Sequence, residues 1–460
     1  MLRRTKINQP LLFILFTLGA LQLSAQGSSG QNFISTPYSN YGIGEWTNTN
    51  LYQAGASQHT YSGYYSYSFL NPATLGDVRY TTFDASASLR TGYSQLGTEK
   101  YDFLGGGMEY LSLALPVWKK VTQKLISYDS INDVKRWKLT PWGATTALTL
   151  KPISSVGYSY YQDQNDTLKT RTSHKGSGGV NALTWNTGFR LGNNFRIGYG
   201  LGYVFGLTKD NALFSVVDSL ELGVVEDART INVRGMQQQL GLMYEFKLDS
   251  TYHKIGASYE WFANTSATRN RLTRSMEVTS AGYTSILDTI LNESGDKRSI
   301  ELPSSFGLGY YFQYRKSWAL SFDWRTQLWT NYSAFFDNNM YQDRSDWGVT
   351  FHLNPEDIKR NNQKRMSIPV RLSYRQSNSQ LQFPTNEDIW GVKEQRIGIG
   401  FGIPMIRRYY DNSVITNLIH VQAEYWTRTP TGGGLPKEQF ITIGVGFQLG
   451  DIWFARRKYD

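Results

Sequence analysis

Ten charged side chains fall inside stretches that otherwise alternate apolar and polar residues: Asp84, Arg90, Lys247, Glu260, Asp323, Arg325, Arg371, Arg375, Glu424 and Arg428. Most of them stand opposite the apolar positions. The planar guanidinium fork suits bidentate recognition of a carboxylate. Arg325, Arg371 and Arg375, on the inward face of two strands, are therefore the candidate ligand-binding residues. The competing role for the whole set is a ladder of ion pairs that holds the interior together.

Other chemistry has little to stand on. His59, His174, His253, His352 and His420 are scattered, and no two have the i, i+4 spacing of a metal pair. The chain has no cysteine, which removes disulfides, thiol nucleophiles and Cys-ligated metals. Gly105-Gly106-Gly107 and Gly398-Ile399-Gly400 lack the strand-to-helix context of a phosphate loop. Asp163-Gln164-Asn165-Asp166 reads as a solvated loop before a cation site. No nucleophile–base constellation emerges, so the expectation is no catalytic residue, no metal, no cofactor and no enzyme.

The element that positions the charges is the β-strand. In Phe440 to Leu449, Ile441, Ile443, Val445, Phe447 and Leu449 share one face, and Thr442, Gly444, Gly446 and Gln448 the other. The pattern recurs at 81–90, 106–116, 140–151, 153–162, 179–191, 194–206, 231–248, 252–262, 304–315, 317–329, 366–376, 395–403 and 417–428. Many two-faced segments of about ten residues, without amphipathic helices, predict an all-β protein. The fold expected is a transmembrane antiparallel β-barrel of about 14 strands. An arginine on the lipid face near the midplane would cost about 2–4 kcal/mol, so the charges belong in the lumen. A soluble sandwich or propeller is the structural rival, but neither calls for so aromatic an outer face.

The count hides a parity problem. Strands 140–151 and 153–162 flank Pro152, and the pair reads as two strands or as one kinked strand. Two strands place the tight turns where the long loops belong. One strand removes the conflict and leaves thirteen, with the missing one sought around Leu381-Gln382-Phe383. Long polar connections are expected at 163–178, 207–230, 263–303 and 330–365.

The N-terminus divides in two. Arg3, Arg4 and Lys6, then the apolar run Leu11 to Leu23 and Leu23-Ser24-Ala25, read as a signal peptide over 1–25. The apolar run is short of the roughly 20 residues of a membrane span. Residues 26–80 carry Tyr38, Tyr41, Tyr52, Tyr61, Tyr64, Tyr65, Tyr67 and Tyr80, a large apolar load for a solvated tail. The reading preferred is an N-terminal plug in the lumen, with the barrel over 81–460.

Composition agrees. Aromatics make up 15% of residues, as girdles at two membrane interfaces require. The formal charge is +10, or +7 without Arg3, Arg4 and Lys6. No dense basic run lies beyond Arg407-Arg408 and Arg456-Arg457-Lys458, so nucleic acid is not expected as a partner, and outer-membrane lipid is.

Asn71-Pro72-Ala73 and 302–310, Leu-Pro-Ser-Ser-Phe-Gly-Leu-Gly-Tyr, resemble the FadL family of outer-membrane transport barrels. Trp318 and Trp324 follow as in that family's mid-barrel hairpin. The end of the chain, 450–459, resembles FadL-like barrels of Bacteroidetes-type bacteria. The partly basic tail 450–460 departs from a family that often ends its barrel close to an aromatic C-terminus.

The resemblance implies a hatch at Asn71, Pro72 and Ala73 in the outer membrane of a Gram-negative bacterium. It implies passive uptake of hydrophobic small molecules such as long-chain fatty acids, with lateral exit at a kinked early strand; Pro152 is the candidate kink. The alternative it implies is a non-transporting barrel, a subunit of a secretion or outer-membrane assembly complex with other outer-membrane proteins as partners. A continuous apolar tunnel to a wall gap favours the first, and a polar, sealed lumen with apolar patches on exposed loops the second.

Overall fold

A computed structural model describes residues 36–46, 58–129, 134–165, 169–216, 223–278, 284–315, 317–332, 335, 340–354, 368–384, 389–408 and 414–451. The expected signal peptide, and the tail beyond Asp451, lie outside them. Sixteen strands are β1 (Glu45–Trp46), β2 (Thr81–Leu96), β3 (Glu99–Asp129), β4 (Val134–Asn165), β5 (Lys169–Leu191), β6 (Phe195–Val216), β7 (Val224–Leu248) and β8 (Thr251–Val278). They continue as β9 (Thr284–Ser299), β10 (Ser305–Tyr314), β11 (Trp318–Gln327), β12 (Arg344–Leu353), β13 (Val370–Pro384), β14 (Ile389–Arg408), β15 (Val414–Pro430) and β16 (Lys437–Asp451).

Fourteen of them form a closed antiparallel ring. Each pairs with its chain neighbour, β16 returns to β2, and β10 follows β8 directly because β9 pairs only with β8. Period-2 alternation produces the ring's two faces. In β16, Ile441, Ile443, Val445 and Phe447 are exposed outward, while Thr442 and Gln448 are buried inward. The outward face is an aliphatic band that includes Leu240, Leu242, Ile255, Leu308 and Leu320. Aromatics flank it: Phe195, Tyr244 and Tyr310 toward the tight-turn end, and Tyr203, Tyr259, Trp347 and Tyr425 toward the other. An apolar band between aromatic girdles on a ring without edges is the surface a bilayer demands.

The expected number of strands is right, but its members change. Residues 140–162 are one strand, β4, whose ladder with β5 shifts register between Pro152 and Ser154. Proline cannot donate to a ladder, so it bulges the strand without ending it. The missing strand is β12, inside the stretch expected as the polar connection 330–365; Leu381-Gln382-Phe383 belongs to β13. The parity conflict disappears with this assignment. The other expected loops are largely strand: β4 and β5 pair out to Asn165 and Lys169, β6 and β7 to Phe214 and Val225, and β8 and β9 pair from Ser266–Ser299 to Val278–Thr284. The Gly192-Asn193 turn forms as expected, with Gly192 at φ +74°.

One seam interrupts the wall. The β3–β4 ladder runs from Asp129–Val134 only to Leu111–Leu150. Beyond it, β3 continues against β2 and β4 against β5, with no β3–β4 pair among the described residues. Ser154 and Ser155 of β4 pair instead with Trp46 and Glu45 of β1.

Candidate functional site

The interior of the ring is the candidate site, built from the inward positions of the strands and from residues 36–46 and 58–80. Register creates a seat for the second of these segments. Gly188, Gly198, Gly241, Ser258 and Gly307 face one another in turn across β5, β6, β7, β8 and β10. The glycines' lack of side chains leaves a shallow floor, and 71–73 lies on Gly188, Gly198 and Gly241. A Cβ at Gly198 would stand 2.3 Å from the Pro72 carbonyl carbon, and one at Gly188 2.5 Å from the Pro72 oxygen.

Asn71 itself is fully buried and fully used. Its Oδ1 accepts from the Ala73 N–H at 3.1 Å and caps the 3-10 turn Pro72–Asp77. Its Nδ2 donates to the His59 carbonyl at 2.6 Å and to the Leu242 carbonyl of β7 at 3.1 Å. The expected hatch residues Asn71, Pro72 and Ala73 therefore sit between the inserted chain and the inner wall.

The turn ends on an ion-pair cluster at the tight-turn end of the lumen. Asp77 Oδ1 accepts from Arg190 at 2.7 Å and from Arg196 at 2.9 Å, and Asp77 Oδ2 accepts from Ser62 at 2.7 Å. Arg196 also pairs with Glu245, and Lys254 donates to the Ser62 hydroxyl at 2.7 Å. Burial alone would raise the Asp77 carboxyl, but Arg196, Lys254 and Arg190 hold it well below the usual carboxylate range.

A second cluster stands toward the other end. Arg428 donates to three carboxylates: Glu394 at 3.0 Å, Glu438 at 3.0 Å, and Glu45 of β1. Glu394 also accepts from Arg344 at 3.0 Å and from Arg396 at 3.1 Å, and Arg396 lies 3.4 Å over the Trp426 ring. Arg90 reaches Glu45 at 3.1 Å. Burial pushes the Glu45 carboxyl up, and the Arg428 and Arg90 charges override it, to about 2. Thr36 donates to Glu438 at 2.6 Å, and Ser39 exchanges hydrogen bonds with the Gly157 backbone of β4. Residues 36–46 thus line the inner side of the β3–β4 seam.

The candidate ligand-binding arginines all face inward and are buried. They are not free forks. Arg325 donates to Ser305 at 3.0 Å and pairs with Glu260 at 3.4 Å. Arg371 donates to the Tyr61 hydroxyl at 3.0 Å. Arg375 stands opposite Gly348 in the β12–β13 ladder. Of the ten charges expected inside, Lys247 is exposed at a strand end. Asp163 pairs with Arg171 at 2.7 Å on an exposed surface, and no group of metal-ligating side chains occurs among the described residues.

His59 had no role in the sequence reading. In the lumen its backbone N–H donates to Asp323 at 3.1 Å, and its Nδ1 lies 2.9 Å from the Ser258 hydroxyl. Burial, with the Arg325 and Arg375 charges, holds its imidazole neutral, down to about 3. A Cβ at Gly307 would collide with its ring, so the glycine floor extends beneath it as well. Chemically, the described interior is an interlocked filling in which these ion pairs alternate with apolar clusters, one around Trp46, Trp329, Tyr332 and Tyr341 and one around Tyr67, Phe69 and Leu75. A remaining gap of about 10 Å³ between Tyr38, Glu45, Arg344 and Arg428 has room for about one water.

The BamG family model matches residues 9–132 and 139–460. No curated protein sequence matches the chain. Among solved structures, the one described as the TodX monoaromatic hydrocarbon channel deltaS2 mutant is similar at TM-score 0.51 and 13% identity. It covers 91% of this chain and 100% of its own. The Pseudomonas putida toluene transporter TodX follows at 0.47, 14% identity, 92% of this chain and 100% of its own. A Pseudomonas aeruginosa FadL homologue follows at 0.49, 10% identity, 89% and 98%. At such identities the shared property is the fold alone, the barrel of the TodX mutant structure.

Proposed function

The chain belongs to the BamG family, and on that premise we propose that it is an outer-membrane barrel plugged as a rigid subunit of an outer-membrane secretion or assembly complex. One observation carries this reading: the described lumen is occupied by residues 36–46 and 58–80, fastened at both ends by buried ion pairs. A hydrophobic solute would have to displace these segments, and each buried charge left without its partner would cost about 3–5 kcal/mol. An interior fastened in this way suits a scaffold. The hatch at Asn71, Pro72 and Ala73 then acts as a fixed stopper, and the strands that run past the membrane supply contact surface.

Purification in native nanodiscs from the outer membrane of its Gram-negative host tests this. Stoichiometric outer-membrane proteins in the particle are the expected result. Particles holding this chain alone, with an apolar ligand inside, would sink it.

The β3–β4 seam supports a second reading, passive uptake of hydrophobic small molecules such as long-chain fatty acids with sideways release beside Pro152. The structures described as hydrocarbon channels share this fold. In that reading residues 36–46 would have to leave the seam, and Arg325, Arg371 or Arg375 would receive a carboxylate once freed from its present neighbours.

A further inference from the structure

The β8–β9 hairpin leaves the barrel. Beyond Trp261, which stacks on Tyr259 at 5.4 Å in the outer aromatic girdle, β8 continues to Val278 and β9 returns along it. Met276, opposite Ile286, lies roughly 50 Å along the strand from Trp261. Even at a barrel tilt of about 45° that is far outside the hydrocarbon layer. Yet Ile286, Leu287 and Ile290 are 57%, 57% and 60% exposed. Lipid cannot cover them there.

The backbone is uncovered too. β9 pairs with β8 on one side and with no strand on the other among the described residues. Bulges twist the ribbon between Arg269 and Met276 without supplying a partner. Proteins blunt such edges with lysine or proline. β9 has no proline, and its one lysine, Lys297, stands near its end beyond the apolar stretch. Asp288 stands among the apolar residues with no ion pair among the described residues, whereas Glu293 faces Arg271 across the ladder and Asp296 is paired with Arg269 and Arg298.

From these observations we propose that β9 is a docking edge for an extended segment of a partner protein, added as a further strand, with alternating apolar residues and at least one Lys or Arg. A strand is the occupant that satisfies an open row of N–H and C=O groups. The basic residue answers Asp288. A second copy of this chain is the rival occupant, and the cross-link below distinguishes it. The proposal rests on the subunit reading above and names its contact.

The test uses the full chain in native nanodiscs, with Leu287 replaced by a photo-crosslinking phenylalanine, Leu287→p-benzoylphenylalanine. Mass spectrometry of the cross-linked peptide is expected to identify a partner segment with the alternating apolar and basic pattern. Ile286→Lys with Ile290→Lys is expected to lower partner recovery at least about tenfold, and Asp288→Lys several-fold, while each barrel stays folded by heat-modifiable gel mobility. If partners are recovered but the cross-link finds only lipid, solvent or a second copy, the docking edge is wrong and the subunit reading survives. If no partner is recovered with the unmodified chain, both fall. Unchanged recovery from the lysine variants overturns the edge as well.

Discussion

Gly241 lies so close beneath Asn71 that a Cβ at that position would stand 2.1 Å from the Asn71 Oδ1. The contact links the β7 wall to the N-terminal segment without any side chain of the wall. Its consequence is that 71–73 can be seated only where three neighbouring strands present glycine in register.

Gly241→Val and Gly198→Leu should therefore unseat the segment and leave the ring intact. Overpacking of this kind costs about 1–3 kcal/mol, enough to raise protease access to residues 58–80. Conductance in planar bilayers should appear in Gly198→Leu and be absent from the unmodified protein. Equal conductance in the two would count against the seat.

Arg428→Gln should be among the most damaging single changes in the lumen. It removes the shared donor of Glu45, Glu394 and Glu438 and leaves buried carboxylates short of a partner. The expected loss is about 3–5 kcal/mol, read as a fall in the heat-modifiability midpoint. Glu45→Gln added to Arg428→Gln should cost less than the sum of the two, which a double-mutant cycle measures.

Acid should loosen the same attachment. The Glu45 carboxyl is held from the usual 4.5 down to about 2 in the folded protein. A lowered folded value means the unfolded state binds more protons between these limits, so stability is complete above pH 4.5 and falls as the pH drops toward 2. Glu45→Gln should flatten that part of the profile. An unaltered acid profile in the variant would show that Glu45 is not the group that titrates.

Replacing Arg325, Arg371 and Arg375 with Gln together should leave influx of apolar solutes through reconstituted vesicles unchanged. Arg325 and Arg371 already have partners in the lumen, Glu260 and Tyr61. Stability should drop instead, because Glu260 would lose the nearby charge. A selective loss of carboxylate-bearing solute uptake, with normal stability, would restore the carboxylate role.

The ring was legible in the sequence because lipid outside and polar filling inside impose a period of two that no other fold sustains so long. β12 carries the signal as well: Trp347, Val349 and Phe351 alternate with Gly348, Thr350 and His352. Its polar neighbours and the inward Asp346 disguised it as a loop. Strand lengths were underestimated because, beyond the membrane, both faces meet water and the alternation fades, as in Thr284 to Ser299. The glycine floor could not be read at all. It exists only once β5, β6 and β7 are in register, a relation among distant residues that no local pattern encodes. For the same reason the three arginines looked available. Their faces were predictable, and their partners, on other strands and on the N-terminal segment, were not.

The seam between β3 and β4 has a bearing on biogenesis. Most pairings join neighbours along the chain and can zip as hairpins form, but the contacts of residues 36–46 reach β4, β15 and β16. What leaves the ribosome early must wait for the C-terminal strands before it can be fastened. The slow, final event of maturation is then the threading of the chain's beginning into a finished wall, and a full-length chain without Arg428 and Glu438 to fasten it would yield cylinders that insert yet leak.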